Sequence, residues 1–208
     1  MFKIFIKKIN KVSLEILCDE EIKESKNFKI ENDKLAYLSG RYWIRSIVGD
    51  YFKMNPKDLT FNIDKNGRPS IINIWNKNLD FNISHSDEFV ILAMSNRLRV
   101  GIDIEKIRDI DIDLISYNCF SNKEKKYLKE KNDKLVNFFK IWTLKESYLK
   151  ALGCGLVEKI KDISFYFDKY DEPFLLKGVD NKKWDFRCFL VNDKYMTSVC
   201  SSKNDFFI

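Results

Sequence analysis

Val100-Gly101-Ile102-Asp103-Ile104-Glu105 and the stretch Phe138-Phe139-Lys140-Ile141-Trp142-Thr143-Leu144-Lys145-Glu146-Ser147-Tyr148-Leu149-Lys150 decide the fold. The first is rich in β-branched residues and reads as the core of a strand over 99–104. Strand side chains alternate faces, so Asp103 and Glu105 share one side while Ile102 and Ile104 enter the core. Two carboxylates roughly 7 Å apart along a strand repel each other unless solvent or a cation separates them. A hard cation such as Mg²⁺ is the natural occupant, and it usually adds substrate phosphates to one or two carboxylates. A solvated acidic strand end is the plain alternative. The second stretch reads as a helix over 133–152 with Gly153 as its stop. Glu146 and Lys150 stand at i and i+4 in the favourable order for an ion pair. On an exposed helix that pair adds little. This helix is strongly aromatic and therefore mostly buried, where a carboxylate and an ammonium are costly unless they face a cleft or a metal.

Outward from these stretches, the first nine residues read as a strand with Phe2, Ile4 and Ile6 on one face. A polar helical stretch follows over 19–28. Asp33 is placed as the N-cap of a long helix ending near Phe52, with Gly49 close to its end. Asn66-Gly67 marks a turn, and strands are expected over 79–83 and 89–94. Ser121-Asn122-Lys123-Glu124 has the form of a capping box. Strands over 163–167, 185–191 and 195–200 close the chain. The order predicts an α+β fold of two similar halves, 1–98 and 99–208.

The 208 residues are 45% apolar, 14% aromatic and 33% charged, a profile that excludes disorder. The longest clean apolar run is six residues, 89–94, far below the roughly 20 that span a bilayer. No secretory signal is expected from the mixed N-terminus. Five widely spaced cysteines without a C-x-x-C predict reduced thiols in the cytoplasm. The net charge of +6 is spread through the chain without a basic tract, so neither nucleic acid nor membrane is an expected partner.

Two further segments carry polar groups suited to a ligand. Asn82-Ile83-Ser84-His85-Ser86 holds the single histidine beside two hydroxyls at a strand end. Asn66-Gly67-Arg68-Pro69 fixes an arginine in a turn. A hydrogen-bonded structural histidine is the more ordinary reading of His85.

Taken in order, NISHS at 82–86, VGIDIE at 100–105 and WTLKESYLKALGCGL at 142–156 resemble the Sfp-type 4′-phosphopantetheinyl transferases. NGRPSI at 66–71 falls where that family has a Gly-Lys-Pro. The resemblance implies Mg²⁺ held by Asp103, Glu105 and Glu146, with Lys150 at the coenzyme A pyrophosphate. It implies Ser84 and His85 at the 3′-phosphate, and Arg68 near the nucleotide in place of the usual lysine. Catalysis falls to Glu146 and Lys150. The implied reaction moves phosphopantetheine from coenzyme A to a serine of an apo acyl or peptidyl carrier protein and releases adenosine 3′,5′-bisphosphate. The implied fold is a pseudo-twofold monomer with its site at the junction of the halves. Whether Glu146 or a water takes the serine proton stays open.

The chain also departs from the family. Ala36 stands in a region where an arginine is usual, and Glu21 and Glu24 replace upstream lysines of bacterial relatives. Lys26, Lys29 or Arg41 then take over the nucleotide's 3′-phosphate. A metal-dependent phosphohydrolase acting on a coenzyme A-like pyrophosphate is the alternative on the same carboxylates, and a non-catalytic binding module is a third. The segment 107–120 interleaves Ile107, Ile110, Ile112, Leu114, Ile115 and Tyr117 with acids, and reads either as a carrier-docking surface or as core between the halves.

Overall fold

A computed structural model describes residues 2–74, 78–154, 160–180 and 183–203. Gly155 and Leu156, the end of the long motif, lie outside the described residues. The architecture is α+β. The N-terminal half runs β1 (Phe2–Lys8), α1 (Asp19–Ser25), α2 (Glu31–Phe52), a small hairpin of β2 (Phe61–Ile63) and β3 (Pro69–Ile71), and a long hairpin of β4 (Asp80–Ser86) and β5 (Phe89–Ser95). The C-terminal half runs β6 (Val100–Lys106), α3 (Ile112–Cys119), α4 (Asn122–Glu130) and α5 (Lys134–Leu152). It continues with a small hairpin, β7 (Ser164–Phe167) and β8 (Pro173–Lys177), and a long one, β9 (Trp184–Val191) and β10 (Tyr195–Ser202). The sheets are antiparallel, in the orders β1-β5-β4 and β6-β10-β9. In each half the last strand of the long hairpin is central and a long helix precedes the small hairpin, so the chain repeats one topology.

The two sheets meet at β4 and β6 through side chains. Val100, Ile102 and Lys106 donate their N–H groups to Asp80 Oδ2 at 2.7 Å, Asn82 Oδ1 at 2.9 Å and Ser86 Oγ at 3.0 Å. Asp80, Asn82 and Ser86 therefore satisfy three donors along the outer edge of β6, as buried backbone donors require. Ile102 and Ile104 pack with Phe89, Ile91 and Val199 between the sheets, on the face the strand alternation predicts.

Helix α5 lies directly on β6. A Cβ at Gly101 would come within 1.9 Å of the Ser147 carbonyl, so only glycine permits this approach. Asp133 caps the helix by accepting the Val136 N–H at 3.0 Å, and Gly153 ends it with φ 69°. The expected capping box is present: Ser121 N–H donates to Glu124 Oε2 at 2.7 Å and Glu124 N–H to Ser121 Oγ at 3.3 Å.

Several sequence expectations are corrected. The cap of α2 is Ile30, with no side-chain bond, and Asp33 lies inside the first turn, where its charge complements the helix dipole. The end of α2 is as expected, at Phe52 with Gly49 in its last turn and Lys53 left-handed at φ 53°. Residues 112–119, expected only as part of an apolar segment, form a helix because Asp111 accepts the Leu114 N–H at 2.9 Å.

Candidate active site

The seam between the halves collects the charged residues singled out in the sequence. Asp103 on β6 is 3% exposed and Glu146 on α5 is 4% exposed. Lys150, one helical turn beyond Glu146, donates from Nζ to Asp103 Oδ1 and to Ser84 Oγ, each at 2.7 Å. Ser84 also donates to Asp103 Oδ1 at 2.8 Å, so β4, β6 and α5 meet at one carboxylate oxygen. Ser86 donates to Glu105 Oε2 at 3.4 Å.

The other oxygens are less well served. Asp103 Oδ2 and Glu146 Oε1 are buried and make no hydrogen bond. A buried carboxylate oxygen without a donor is costly, and two of them in one seam call for a positive partner. Burial first, and the Asp103 charge second, push the Glu146 carboxyl up to about 8. The same two causes raise Glu105. The donor set is all carboxylate oxygen, which suits a hard divalent cation. Among the described residues, no three ligating side chains are gathered closely enough to hold an ion as they stand. The orphaned oxygens and the mutual repulsion of Asp103, Glu105 and Glu146 nonetheless fit a cation arriving among them.

The residues expected at the nucleotide are dispersed. Ser84 and His85, paired in expectation, are neighbours on a strand and point to opposite faces. Ser84 faces the carboxylates. His85 shares its face of β4 with Ile83, whose Cδ1 would lie 3.2 Å from a Cβ at Gly40 of α2, and it lies within electrostatic reach of Asp33. The residue is exposed, yet the protein packed around it and the Lys150 charge hold its pKa below the ordinary value. Arg41 lies 3.9 Å from Glu21 Oε1 and over the rings of Tyr37 and Phe61. Glu21 itself is buried and bonded to Arg45 at 2.7 Å, a fixed internal ion pair rather than a lost ligand position. Arg68 turns inward: its guanidinium is bonded to Asp80 and to the carbonyls of Phe81, Val100 and Lys150.

Lys145 is a residue that the motifs did not single out. Its ammonium is wholly buried against Glu124 at 2.9 Å and donates to the carbonyls of Cys119 and Ile163 at 2.8 Å. A signal for it exists in the sequence: a lysine beside Glu146 on a buried helix needs an acidic partner, and the capping-box glutamate is one.

Two family models match the chain. That of the 4′-phosphopantetheinyl transferase superfamily covers residues 99–200, and that of the 4′-phosphopantetheinyl transferase N-terminal domain covers residues 7–97. The 4′-phosphopantetheinyl transferase gsp of Aneurinibacillus migulanus is 39% identical over 142 residues, 66% of this chain and 56% of that protein. The 4′-phosphopantetheinyl transferase ffp of Bacillus subtilis is 27% identical over 191 residues, 90% of this chain and 83% of the relative. Sfp from Bacillus subtilis (strain 168), also a 4′-phosphopantetheinyl transferase, is 26% identical over 199 residues, 95% and 87% of the two chains. The chain thus spans little more than half of gsp and most of the two Bacillus subtilis proteins. A holo-(acyl-carrier-protein) synthase from Bacillus anthracis, solved with CoA (3′,5′-ADP), aligns with a TM-score of 0.46 at 17% identity over 52% of this chain and 99% of that one. Between them the two matched regions leave out only the first six residues, residue 98 and the last eight, and the chain belongs to the 4′-phosphopantetheinyl transferase superfamily.

Proposed function

We propose that this chain transfers 4′-phosphopantetheine from coenzyme A to a serine of an apo carrier protein, with Mg²⁺ held by Asp103, Glu105 and Glu146. The observation that carries the reading is the pair of orphaned buried oxygens, Asp103 Oδ2 and Glu146 Oε1, beside the Lys150 ammonium. When bound, Mg²⁺ supplies charge neutralisation at the pyrophosphate. The serine Oγ forms a bond to the phosphorus that carries the pantetheine arm, and the bond from that phosphorus to the bridging oxygen breaks. Adenosine 3′,5′-bisphosphate leaves with the bond's electrons. Lys150 faces the growing negative charge. Glu146 is placed both to ligate the metal and to take the serine proton, directly or through a water. Ser84 orients Asp103, and His85 reads the nucleotide from the other face of β4. Arg41 on α2 is the cation assigned to the 3′-phosphate. Both walls of the seam come from one chain, halves 1–98 and 99–208, which supports a monomer. The cysteines are widely spaced thiols with no C-x-x-C pair, which supports a reducing compartment. No described helix is long and apolar enough to cross a membrane.

The direct test supplies purified protein with coenzyme A, Mg²⁺ and a panel of apo carriers. Intact mass should show one phosphopantetheine added per carrier. Adenosine 3′,5′-bisphosphate appearing without that mass gain would replace transfer by hydrolysis.

Metal binding carries its own signature. With the Glu146 carboxyl at about 8, the metal-free protein holds that proton at pH 7 and has lost it by pH 9. Mg²⁺ requires the carboxylate, so binding at pH 7 releases about one proton and binding at pH 9 about none. Affinity accordingly rises as pH climbs through 8. Calorimetry in two buffers of different ionisation enthalpy reads the released proton; buffer-independent heats at pH 7 would remove Glu146 from the ligand set.

The carrier surface divides along α3. Ile107, Ile110, Ile112 and Ile115 are half-buried and pack against Phe120, Phe138 and Ile141, and Ile112 also borders the hollow beside α3. Leu114 and Tyr117 point outward, 60% and 75% exposed, and Lys125, Lys129 and Lys134 line an adjoining hollow. An apolar patch rimmed by lysines suits a carrier whose serine lies beside an acidic helix. Leu114→Ala is expected to raise the KM for carrier about three- to tenfold with the KM for coenzyme A unchanged. Ile112→Ala should instead lower the melting temperature, by about 2–5 °C or more. A carrier KM untouched by Leu114→Ala would move docking elsewhere.

A further inference from the structure

The C-terminal end of α5 is capped by Asn66 and Arg68 of the N-terminal half and by Arg99 just before β6. An α-helix leaves its last carbonyls without intrahelical donors. Here the Lys150 carbonyl accepts from Arg68 Nη1, the Ala151 carbonyl from Arg99 Nε at 2.7 Å, and the Gly153 carbonyl from Asn66 Nδ2 at 2.5 Å. Two guanidiniums at this end also complement the helix dipole. Asp80 holds both: Oδ2 accepts from Arg68 at 2.8 Å and Oδ1 from Arg99 at 3.0 Å. Arg68 Nη2 donates further to the Phe81 carbonyl at 3.1 Å and the Val100 carbonyl at 3.0 Å. The turn that presents it is stiffened by Asp64, whose Oδ1 accepts the N–H groups of Asn66 and Arg68 at 2.8 and 2.9 Å.

One guanidinium thus touches β4, β6 and α5, the three elements that carry Ser84, Asp103 with Glu105, and Glu146 with Lys150. We infer that Arg68 is a positioning residue: it fixes the last turn of α5 against the start of β4 and β6 so that the Lys150 ammonium reaches Asp103, and it is not a ligand of the nucleotide. The inference rests on the reading of Asp103, Glu146 and Lys150 as the transferase site. Arg68 is 8% exposed, and the acceptors along its guanidinium belong to the protein. Its leverage is geometric. It bonds the backbone of the very residue whose side chain enters the site, and a displacement of about 1 Å at reacting groups can slow a reaction about 100-fold.

The test compares Arg68→Met and Asn66→Ala with the wild-type protein in three measurements. Steady-state kinetics separate kcat from the KM for coenzyme A; calorimetry gives the Kd for adenosine 3′,5′-bisphosphate; hydrogen exchange follows the amides of residues 150–154. Arg68→Met is expected to lower kcat about 100-fold, leave the nucleotide Kd within about twofold, and speed exchange in the last turn of α5 at least about tenfold. Asn66 is exposed and lies outside the core, so Asn66→Ala folds and shows smaller changes of the same kind, about two- to fivefold in kcat. A tenfold weaker nucleotide Kd with kcat unchanged in Arg68→Met would make Arg68 a nucleotide ligand and overturn the inference. Unchanged exchange in Asn66→Ala overturns it even if Arg68→Met fails to fold. A wild-type protein that transfers nothing overturns the transferase reading, and the exchange rates then judge the clamp alone.

Discussion

Lys145→Ala is expected to destabilise the protein by about 3–5 kcal/mol, the usual consequence of stripping one partner from a fully buried ion pair. The side chains of Lys145 and Glu124 are both 0% exposed, with Nζ 2.9 Å from Oε2. Burial pushes the Lys145 ammonium below its ordinary pKa, and the Glu124 charge opposes that shift. Glu124 also joins two elements, because Oε2 accepts the Ser121 N–H and Oε1 accepts the Phe165 N–H at 3.0 Å, tying α4 to β7. Without the lysine, an uncompensated carboxylate remains in that junction. For a chain of this size each kcal/mol moves the melting temperature about 2–4 °C, so a fall of about 6–20 °C is expected. The double variant Lys145→Met with Glu124→Gln removes both charges and should recover much of the loss. A single variant melting within about 2 °C of wild type would show that the pair is not what holds α4 on α5 and β7.

Glu146→Gln and Asp103→Asn are each expected to lower turnover at least about 1,000-fold, the scale on which preorganised charge at a transferring phosphoryl group acts. Their effects on stability should differ in sign. Glu146 Oε1 is buried without a partner, and burial with the Asp103 charge already disfavours its charged form. A neutral amide needs no proton on folding, whereas the raised Glu146 carboxyl must take one up at pH 7, so Glu146→Gln should melt at or above the wild-type temperature in the absence of metal. Asp103→Asn loses the charge that Lys150 and Ser84 converge on and should melt lower. Thermal melts with and without Mg²⁺, beside carrier mass spectrometry, check both variants. Glu146→Gln retaining turnover within about tenfold of wild type would remove Glu146 from the chemistry. The expected pattern is that of a site assembled at the expense of stability.

What could be read from the sequence was local. The cap at Asp133, the αL stop at Gly153 and the capping box at Ser121 each depend on residues within four positions, and all three are present. The alternation of β6 put Asp103 opposite Ile102 and Ile104 with no tertiary knowledge. The same rule, applied to Asn82-Ile83-Ser84-His85-Ser86, separates Ser84 from His85; the family resemblance had placed them together. The strands β2 and β3 have three residues each, too short for a period to emerge. Arg68 was out of reach for another reason. Its partners lie 12, 13, 32 and 82 residues away, and no local pattern announces that a turn arginine will be enclosed by a seam formed later in the chain.

The ladder along β4 has a bearing on which changes this protein can absorb. A pair of bare strand edges is indifferent to sequence and can slide, whereas here the rungs at Asp80, Asn82 and Ser86 are themselves side chains. A slip of one residue would present Phe81 and Ile83 to the N–H groups of β6 and leave them dry. The seam therefore works as a vernier: its graduations are written in the odd–even order of β4, and they set how Ser84 and Ser86 line up with Asp103 and Glu105. A one-residue shift of β4 therefore dephases the two walls of the site and at the same time turns Phe81 and Ile83 out of the N-terminal core.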